Sequence, residues 1–439
     1  MAQSVKLETL ARDPRQRKRM YSMVRPLYDR IKGKAKGLIA FKHAWVVSEE
    51  VSRYLTHAKD QNWAGRCVLL SSVHCFRMGV LEDVVRLFPE GDRTSLIKSF
   101  NRFNILRNQD ETAPENKDGE IYRALAAPYI SESGLILLHP EVIVRVVDMS
   151  VPQYHEGAKA QELHDIISSK GPLEEVNRNL ADSMLKYWRP AAIQLLFFSC
   201  YDRMSNLAAH TLHKDLFLDI SRQWKALEGE TARVRESFAA HLGKLVSVAA
   251  AKRIPLVKQT ERETGNQVQY TIRDKTPGSA TLTLVIRKDV DPEAKSLDPD
   301  FVLEVLHDKV ACTLVSDRTC DAENLFQLVK RRDESIIVQA ENIFYGRGGH
   351  YSGSLGGYRE TGHIDYFAGA FGAERIQRVE LHVKSYRGYL DHYYSPQASR
   401  GARESQFVSD AWGDQNYAIV RALGNVNHEA PNGSFRKSP

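Results

Sequence analysis

The chain reads as an α+β protein, a helical N-terminal region followed by a domain built on a mixed sheet. Two observations predict this. Apolar residues recur at three- and four-residue spacing through most of the region up to residue 250. Near Ile254-Pro255 the texture changes to short alternating runs interleaved with helical ones, the pattern of a sheet with helices packed on it.

Up to about residue 110 the helical periodicity runs through Leu38-Ile39-Ala40-Phe41, Val46-Val47, Val51 and Tyr54, and again from Val68 to Leu87. Asn108 to Glu120, with Pro114, reads as a polar loop. Leu135-Ile136-Leu137-Leu138 and the β-branched run Val142 to Val147 predict extended chain, either a strand or a buried helical turn. Residues 160–251 return to helical spacing, broken near Gly171-Pro172 and Arg189-Pro190. Beyond the change of texture, Val268 to Ile272 alternates and Thr281 to Ile286 reads as a strand. Phe301 to Leu306 reads as a short helix, Val310 to Val315 as a strand, Ala322 to Lys330 as a helix and Val379 to Val383 as a strand. From Ser395 Gly, Ser, Asn, Pro and Arg accumulate, a flexible composition. The division is therefore 1–250, 251–395 and a tail 396–439, with no internal repeat.

Composition sets outer bounds on function. At 439 residues, with 42% hydrophobic and 26% charged residues, the chain has material for two or three domains. No apolar run reaches the length of a membrane span, and the N-terminus lacks a signal peptide's apolar stretch. The five cysteines (Cys67, Cys75, Cys200, Cys312, Cys320) contain no Cys-x-x-Cys pair, which argues against a disulfide framework and a structural zinc knuckle. A reducing cytoplasm is the expected compartment. The net charge of +6 is uneven: ten Lys and Arg between Arg12 and Lys36 face only Asp13 and Asp29, so this segment carries +8 and the remainder −2. Such a segment, with Arg12, Arg15, Arg17, Lys18 and Arg19 at its start, either contacts RNA phosphates, forms a solvated or subunit-facing helix, or serves targeting.

The chemistry-bearing residues lie between 273 and 385. Arg273 and Lys275 flank Asp274 at a strand end, and Ser279 closes a Pro-Gly turn, so this is either a cationic grip for phosphates or an ordinary surface hairpin. Asp308 ends a short helix just before Val310, at the rim where sheets bind ligands, although an acid before a strand is commonplace. The stretch ending Gly357-Tyr358-Arg359 is glycine-rich, either a loop whose amides approach a ligand or merely a flexible one, and His363 follows it. Glu380 interrupts an apolar strand, where a carboxylate needs a metal, Lys384 or solvent as partner. His382, His392, Tyr393 and Tyr394 continue the aromatic and basic theme. Together these are the parts of a metal-dependent phosphoryl-type transfer.

In order and spacing the series resembles the synthetase domain of the RelA/SpoT family, whose members move pyrophosphate from ATP to a 3′-hydroxyl. The family's first motif, Arg-x-Lys-Ser-Pro-x-Ser, is matched by Arg273, Lys275, Thr276, Pro277 and Ser279. Its Asp-x-x-Gly-x-Arg becomes Asp308 with Ala311 and Thr313, so the motif's Arg is replaced. Its Gly-Tyr-x-Ser-x-His becomes Gly357 and Tyr358, with one extra residue before His363. Its Glu-x-Gln-x-Arg-Thr becomes Glu380, His382, Lys384 and Ser385. The resemblance covers about 150 residues. It implies a nucleotidyltransferase-like mixed-sheet fold, with Asp308 and Glu380 as catalytic residues and Mg²⁺ ligands. It further implies that Arg273, Lys275 and Ser279 bind ATP, and that Tyr358, Arg359, His363 and Lys384 bind the acceptor, a guanosine nucleotide by default, an adenine nucleotide, or tRNA. Bifunctional members also carry a hydrolase half with a His-Asp dipeptide in its metal site; His164-Asp165, without a supporting upstream histidine motif, is read as incidental. Two other readings stand beside the enzyme: an RNA-binding or assembly protein of nucleoprotein or capsid type, and a pseudoenzyme that keeps the synthetase fold.

Overall fold

The computed structural model describes residues 6–76, 90–111, 121, 124–125, 129–131, 133–151, 178–260, 267–306, 309–342, 344, 361–386, 388–389, 419 and 422–423. No helix among them is long and apolar enough to cross a membrane. The molecule mixes helix and sheet, as the change of texture predicts.

The first part comprises α1 (Leu7–Leu10), α2 (Pro14–Lys32), α3 (Lys34–Leu55), α4 (Gln61–Val73) and α5 (Glu90–Glu111). A two-stranded hairpin follows, β1 (Tyr129–Ile130) and β2 (Ile136–Leu137), and then α6 (Pro140–Ser150). Acidic caps set two of the helix starts: Asp13 accepts the Arg15 amide at 2.8 Å and Asp60 the Trp63 amide at 2.9 Å. Only Ile136 and Leu137 of the 135–147 stretch expected to be extended are in a strand. Residues 140–150 are helix instead, and every one of them is buried. Pro140 fits a first helical turn, and Glu141, Arg145 and Asp148 recur at helical spacing among the apolar residues, so of the two readings of this run the buried helix is the one adopted.

The chain continues through α7 (Arg178–Ser183), a π-helical turn at Met184–Trp188, α8 (Arg189–Gln194), α9 (Phe198–Leu212), α10 (Lys214–Ala226) and α11 (Glu228–Ala251). The break expected at Arg189-Pro190 falls later, at Leu196, whose φ is 61°. Pro190 is accommodated because the wide π turn precedes it and the proline sits in the first turn of α8. Met20, Tyr28, Val51, Trp63, Phe103, Val146 and Trp188 belong to one core. Ile419, Ala422 and Leu423 join it, and the Ala422 carbonyl accepts the Lys59 amide at 2.8 Å, so at these positions the segment read as a flexible tail is anchored.

The second part holds β3 (Gln259–Thr260) paired with β4 (Gln267–Val268), then β5 (Tyr270–Asp274), α12 (Pro277–Ile286) and α13 (Pro299–Val305). It ends with β6 (Val310–Ser316), α14 (Thr319–Arg332), β7 (Ile337–Asn342), β8 (Thr361–Phe367) and β9 (Arg378–Ser385). Five strands form one sheet in the order β5-β6-β9-β8-β7, with β6 and β9 parallel and the other neighbours antiparallel. One face of it is apolar: Cys312, Leu314, Ile364, Tyr366, Leu381 and Val383 pack with Val234, Phe238 and Leu242 of α11 and Leu325 and Phe326 of α14. The helix read as the end of the N-terminal region thus belongs to the sheet's core.

Residues 281–286 form the end of α12, where a strand is expected. Thr276 caps that helix by accepting the Ser279 amide at 3.2 Å and Pro277 starts it, so Thr-Pro-Gly-Ser is a helix start and overrides the β-branched residues that follow. Ala280 and Leu284 of this helix meet Leu216, Ile220 and Trp224 of α10. At its start the Asn206 side chain accepts the Gly278 amide at 2.8 Å.

Candidate active site on the polar face of the sheet

Strand alternation sends every second residue to the face away from α11 and α14. The pairing aligns them in two rows. Arg273, Ala311, Glu380, Asp365 and Gln339 lie across β5, β6, β9, β8 and β7, and beside them lie Thr271, Thr313, His382, His363 and Glu341. Lys384 follows next on β9, opposite Thr361. The face is polar yet withdrawn from solvent, with Asp365 at 4%, His363 at 5%, Glu380 at 8% and Lys384 at 1% exposure.

Glu380 is the centre of the arrangement. Its Oε2 accepts from His382 Nε2 at 3.2 Å, and its Oε1 lies 3.6 Å from His363 Nε2. His363 Nε2 is also 3.4 Å from Asp365 Oδ1, while Arg378 donates to Asp365 Oδ2 at 3.2 Å. Burial pushes the Glu380 carboxyl up, but the hydrogen bonds and charges of His363 and His382 outweigh it and hold it well below the usual carboxylate range. Burial lowers His363, and Glu380, Asp365 and Glu341 together raise it above the ordinary histidine value. His382 falls to about 4, through burial and the neighbouring Lys384 and His363, against the pull of Glu380. Burial and the charge of Arg273 likewise push Lys384 well below the lysine range. At neutral pH the face holds an ionised Glu380 and a neutral His382, with Arg273 as its cation.

Of the residues singled out in the sequence, the sheet brings together Arg273, His363, Glu380, His382 and Lys384. Lys275 lies just beyond β5, its amide donating to the Lys309 carbonyl at 2.9 Å and its carbonyl accepting the Trp224 indole at 2.6 Å. Ser279 sits in the first turn of α12, where its carbonyl accepts the Thr283 hydroxyl at 2.7 Å. Asp308, Tyr358 and Arg359 lie outside the described residues, as do His164 and Asp165. Asp365 is a participant the sequence does not flag. The signal for it is a His-x-Asp on β8 meeting a Glu-x-His on β9 in register.

Magnesium prefers oxygen ligands in near-octahedral geometry. The described donors around Glu380 are two imidazole nitrogens and two carboxylates, a set that does not fit magnesium. In the basic segment, Arg17 is buried and pairs with Glu49 at 3.1 Å, Arg12 donates to the Thr56 carbonyl at 2.9 Å, and Arg25 pairs with Asp29 at 3.1 Å. Arg17, expected among the RNA contacts, is therefore structural.

A second polar cluster, absent from the sequence reading, is buried in the helical part. His43 Nε2 donates to Asp148 Oδ1 at 2.8 Å and His74 Nε2 lies 3.1 Å from the same oxygen, while Cys75 Sγ is 3.4 Å from His74 Nε2. Arg145 donates to the other oxygen of Asp148, and His74 Nδ1 donates to the Ser71 carbonyl at 2.5 Å. Burial lowers His74, and the charges of Cys75 and Asp148 raise it to about 10. Burial raises Cys75, and the charges of His74 and His43 lower it to about 6. His43, His74 and Cys75 place their ligand atoms within 4.8 Å of one another.

No protein-family model matches the chain, and no curated protein matches it.

Proposed function

We propose that the polar face of the sheet is a nucleotide site that transfers pyrophosphate from ATP to a 3′-hydroxyl, on a nucleotidyltransferase-like domain of RelA/SpoT type. The acceptor is a guanosine di- or triphosphate by default, or the 3′ end of tRNA. What supports the reading is one observation: three separate motif segments, carrying Arg273, His363, and Glu380 with Lys384, meet on one face of one sheet. Two strand spacings, about 10 Å, separate the Arg273 and Glu380 positions. Ala311 of β6 stands between them in the register, a small side chain.

In this mechanism Arg273 and Lys384 face the oxygens on which charge accumulates during transfer. Ionised Glu380 accepts the hydrogen bond of the attacking 3′-hydroxyl and orients it. The new bond forms from that oxygen to the β-phosphorus of ATP, the bond from the β-phosphorus to the bridging oxygen breaks, and AMP leaves. The hydroxyl proton passes to the Glu380 carboxylate. Asp308 stays in the proposal as the second acid, and Tyr358 as the ring that stacks on the acceptor base. The test is purified full-length chain with ATP labelled at the β-phosphate and a panel of guanosine, adenosine and tRNA acceptors. Transfer to at least one acceptor, lost in Glu380→Gln at unchanged melting temperature, is expected. No transfer to any acceptor, or full activity in that variant, overturns the proposal.

The buried His43, His74, Cys75 and Asp148 favour a second reading for the helical part, a hydrolase-type metal module. The family's His-Asp dipeptide is not what carries this reading; it rests on the convergence of His43, His74 and Cys75, whose ligand atoms lie within 4.8 Å of one another. Hydrolysis of a 3′-pyrophosphorylated nucleotide across a panel of divalent ions, in the chain and in His74→Ala, decides it. Activity that survives His74→Ala sinks the module.

A further inference from the structure

We infer that His363, His382 and Glu380, with Asp365, form a binding site for a divalent transition ion of the zinc class. The site stands on geometry and holds whether or not the transfer reading does; only its part in that reaction rests on the proposed function.

The spacing of the donor atoms carries the inference. Carboxylate oxygens that take a direct charge-assisted hydrogen bond from a cationic nitrogen sit about 2.7–2.9 Å away. Here His363 lies 3.4 Å from Asp365 and 3.6 Å from Glu380, beyond hydrogen-bond distance, and the 3.2 Å from His382 to Glu380 is at its upper end. Donors at about 2.0–2.1 Å from a tetrahedral zinc lie about 3.3–3.4 Å from one another, the middle of the observed range. The ligand atoms of His363, Glu380 and His382 all fall within 4.8 Å of one another. Asp365 supplies an independent sign: it is 4% exposed, its Oδ1 has no hydrogen-bond partner among the described residues, and that oxygen faces His363 Nε2. A buried carboxylate oxygen without a hydrogen bond is costly unless a cation takes it up.

The scaffold suits the task. All four residues come from two antiparallel strands in register, His363 opposite His382 and Asp365 opposite Glu380, so backbone pairing fixes the donors before an ion arrives. Two imidazoles with two carboxylates form a set on which zinc, iron(II) or cobalt outcompetes magnesium.

The test uses full-length chain freed of metal by chelation, with Zn²⁺ as ligand and Co²⁺ as its spectroscopic stand-in, read by calorimetry and by the visible bands of tetrahedral cobalt. His363→Gln, His382→Gln and the double variant are compared, alongside His74→Ala to subtract any ion held in the helical part. One equivalent that depends on the sheet histidines is expected, weakened at least 10-fold in each single variant and absent in the double, with Mg²⁺ failing to displace it at millimolar concentration. The Gln variants keep polar side chains at both positions, and circular dichroism confirms that they fold. An unchanged zinc isotherm in the double variant overturns the inference, as does equal affinity for Mg²⁺. Zinc binding without pyrophosphate transfer to any acceptor would sink the transfer reading alone, and transfer without zinc binding would sink this inference alone.

Discussion

Gly278→Ala tests whether the first-motif turn is fixed by the helix beneath it. A Cβ at Gly278 would lie 2.4 Å from Asn206 Cα and 2.5 Å from Asn206 N, both backbone atoms of α9 that cannot swing aside. Relief to an ordinary contact of about 3.4 Å requires α12 and α9 to part by about 1 Å, an overpacking strain of about 1–3 kcal/mol. The same movement stretches the 2.8 Å hydrogen bond from the Gly278 amide to Asn206, which adds about 1 kcal/mol. The expected loss is therefore about 2–4 kcal/mol in urea denaturation, with an unchanged m-value. Gly243→Ala is the control, since it sits inside α11 with nothing within 4 Å of its Cβ position and should stabilise by about 0.5–1 kcal/mol. A Gly278→Ala change within 0.5 kcal/mol of zero would refute the close approach, and with it the docking of the motif on α9.

Three further outcomes follow from buried charge. Glu50 accepts from Arg53 at 2.7 Å and from Arg203 at 3.1 Å; burial raises its carboxyl, but the charges of Arg203 and Arg53 bring it below the ordinary value. A depressed carboxyl contributes stability that is present above about pH 4.3 and lost as pH falls through its folded value, so Glu50→Gln should cost about 3–5 kcal/mol at pH 7 and progressively less in acid denaturation. A cost that does not change with pH would count against the ion pairs. Glu230 Oε1 accepts the amides of Glu374, Arg375 and Ile376 at 3.0, 2.8 and 2.7 Å, so Glu230→Ala should lower stability by about 1–3 kcal/mol and expose these amides to faster hydrogen exchange. Lys384→Met should abolish transfer while leaving the melting temperature level or higher, because methionine fills the buried site without a charge to desolvate; a sharp drop in melting temperature instead would make Lys384 structural.

How far the sequence discloses this molecule depends on whether the information is local. Strands β6 and β9 and helices α13 and α14 are legible because each carries one clear period and a punctuating turn. The helices α6 and α12 are not, because β-branched residues at 142–147 and 281–286 give the same pattern in a strand and in a buried helix, and only Pro140, Thr276 and Pro277 decide between them. Glu380 stands out as an acid in an apolar strand, whereas Asp365 becomes meaningful only when β8 pairs with β9. The cluster of His43, His74, Cys75 and Asp148 is assembled from α3, the turn after α4, and α6, distant in sequence, so no spacing announces it.

The unequal faces of the sheet argue for a site more strongly than any motif. On one face apolar residues pack against α11 and α14, which is enough to hold a five-stranded sheet. The other face buries Glu380, Asp365, His363 and Lys384, with Arg273 and His382 half-buried beside them, in adjoining rows. Burying such groups costs several kcal/mol per ion before pairing, and apolar residues of similar size would serve the fold as well or better. Lys384 is the clearest case, because it is 1% exposed and its amine is discouraged from charging both by burial and by Arg273. An anion bridging Arg273 and Lys384, as the phosphates of a nucleotide would, favours the charged amine that burial and Arg273 oppose. The carboxylates and imidazoles beside it are the donor set proposed above to take a cation. A phosphate chain over Arg273 and Lys384 and a metal ion at Glu380 would each cancel the cost that the other leaves, so binding of either should strengthen binding of the other. Calorimetric titration of Zn²⁺ with and without a non-hydrolysable ATP analogue measures that coupling directly, and equal zinc affinities in the two titrations would separate the two halves of the face.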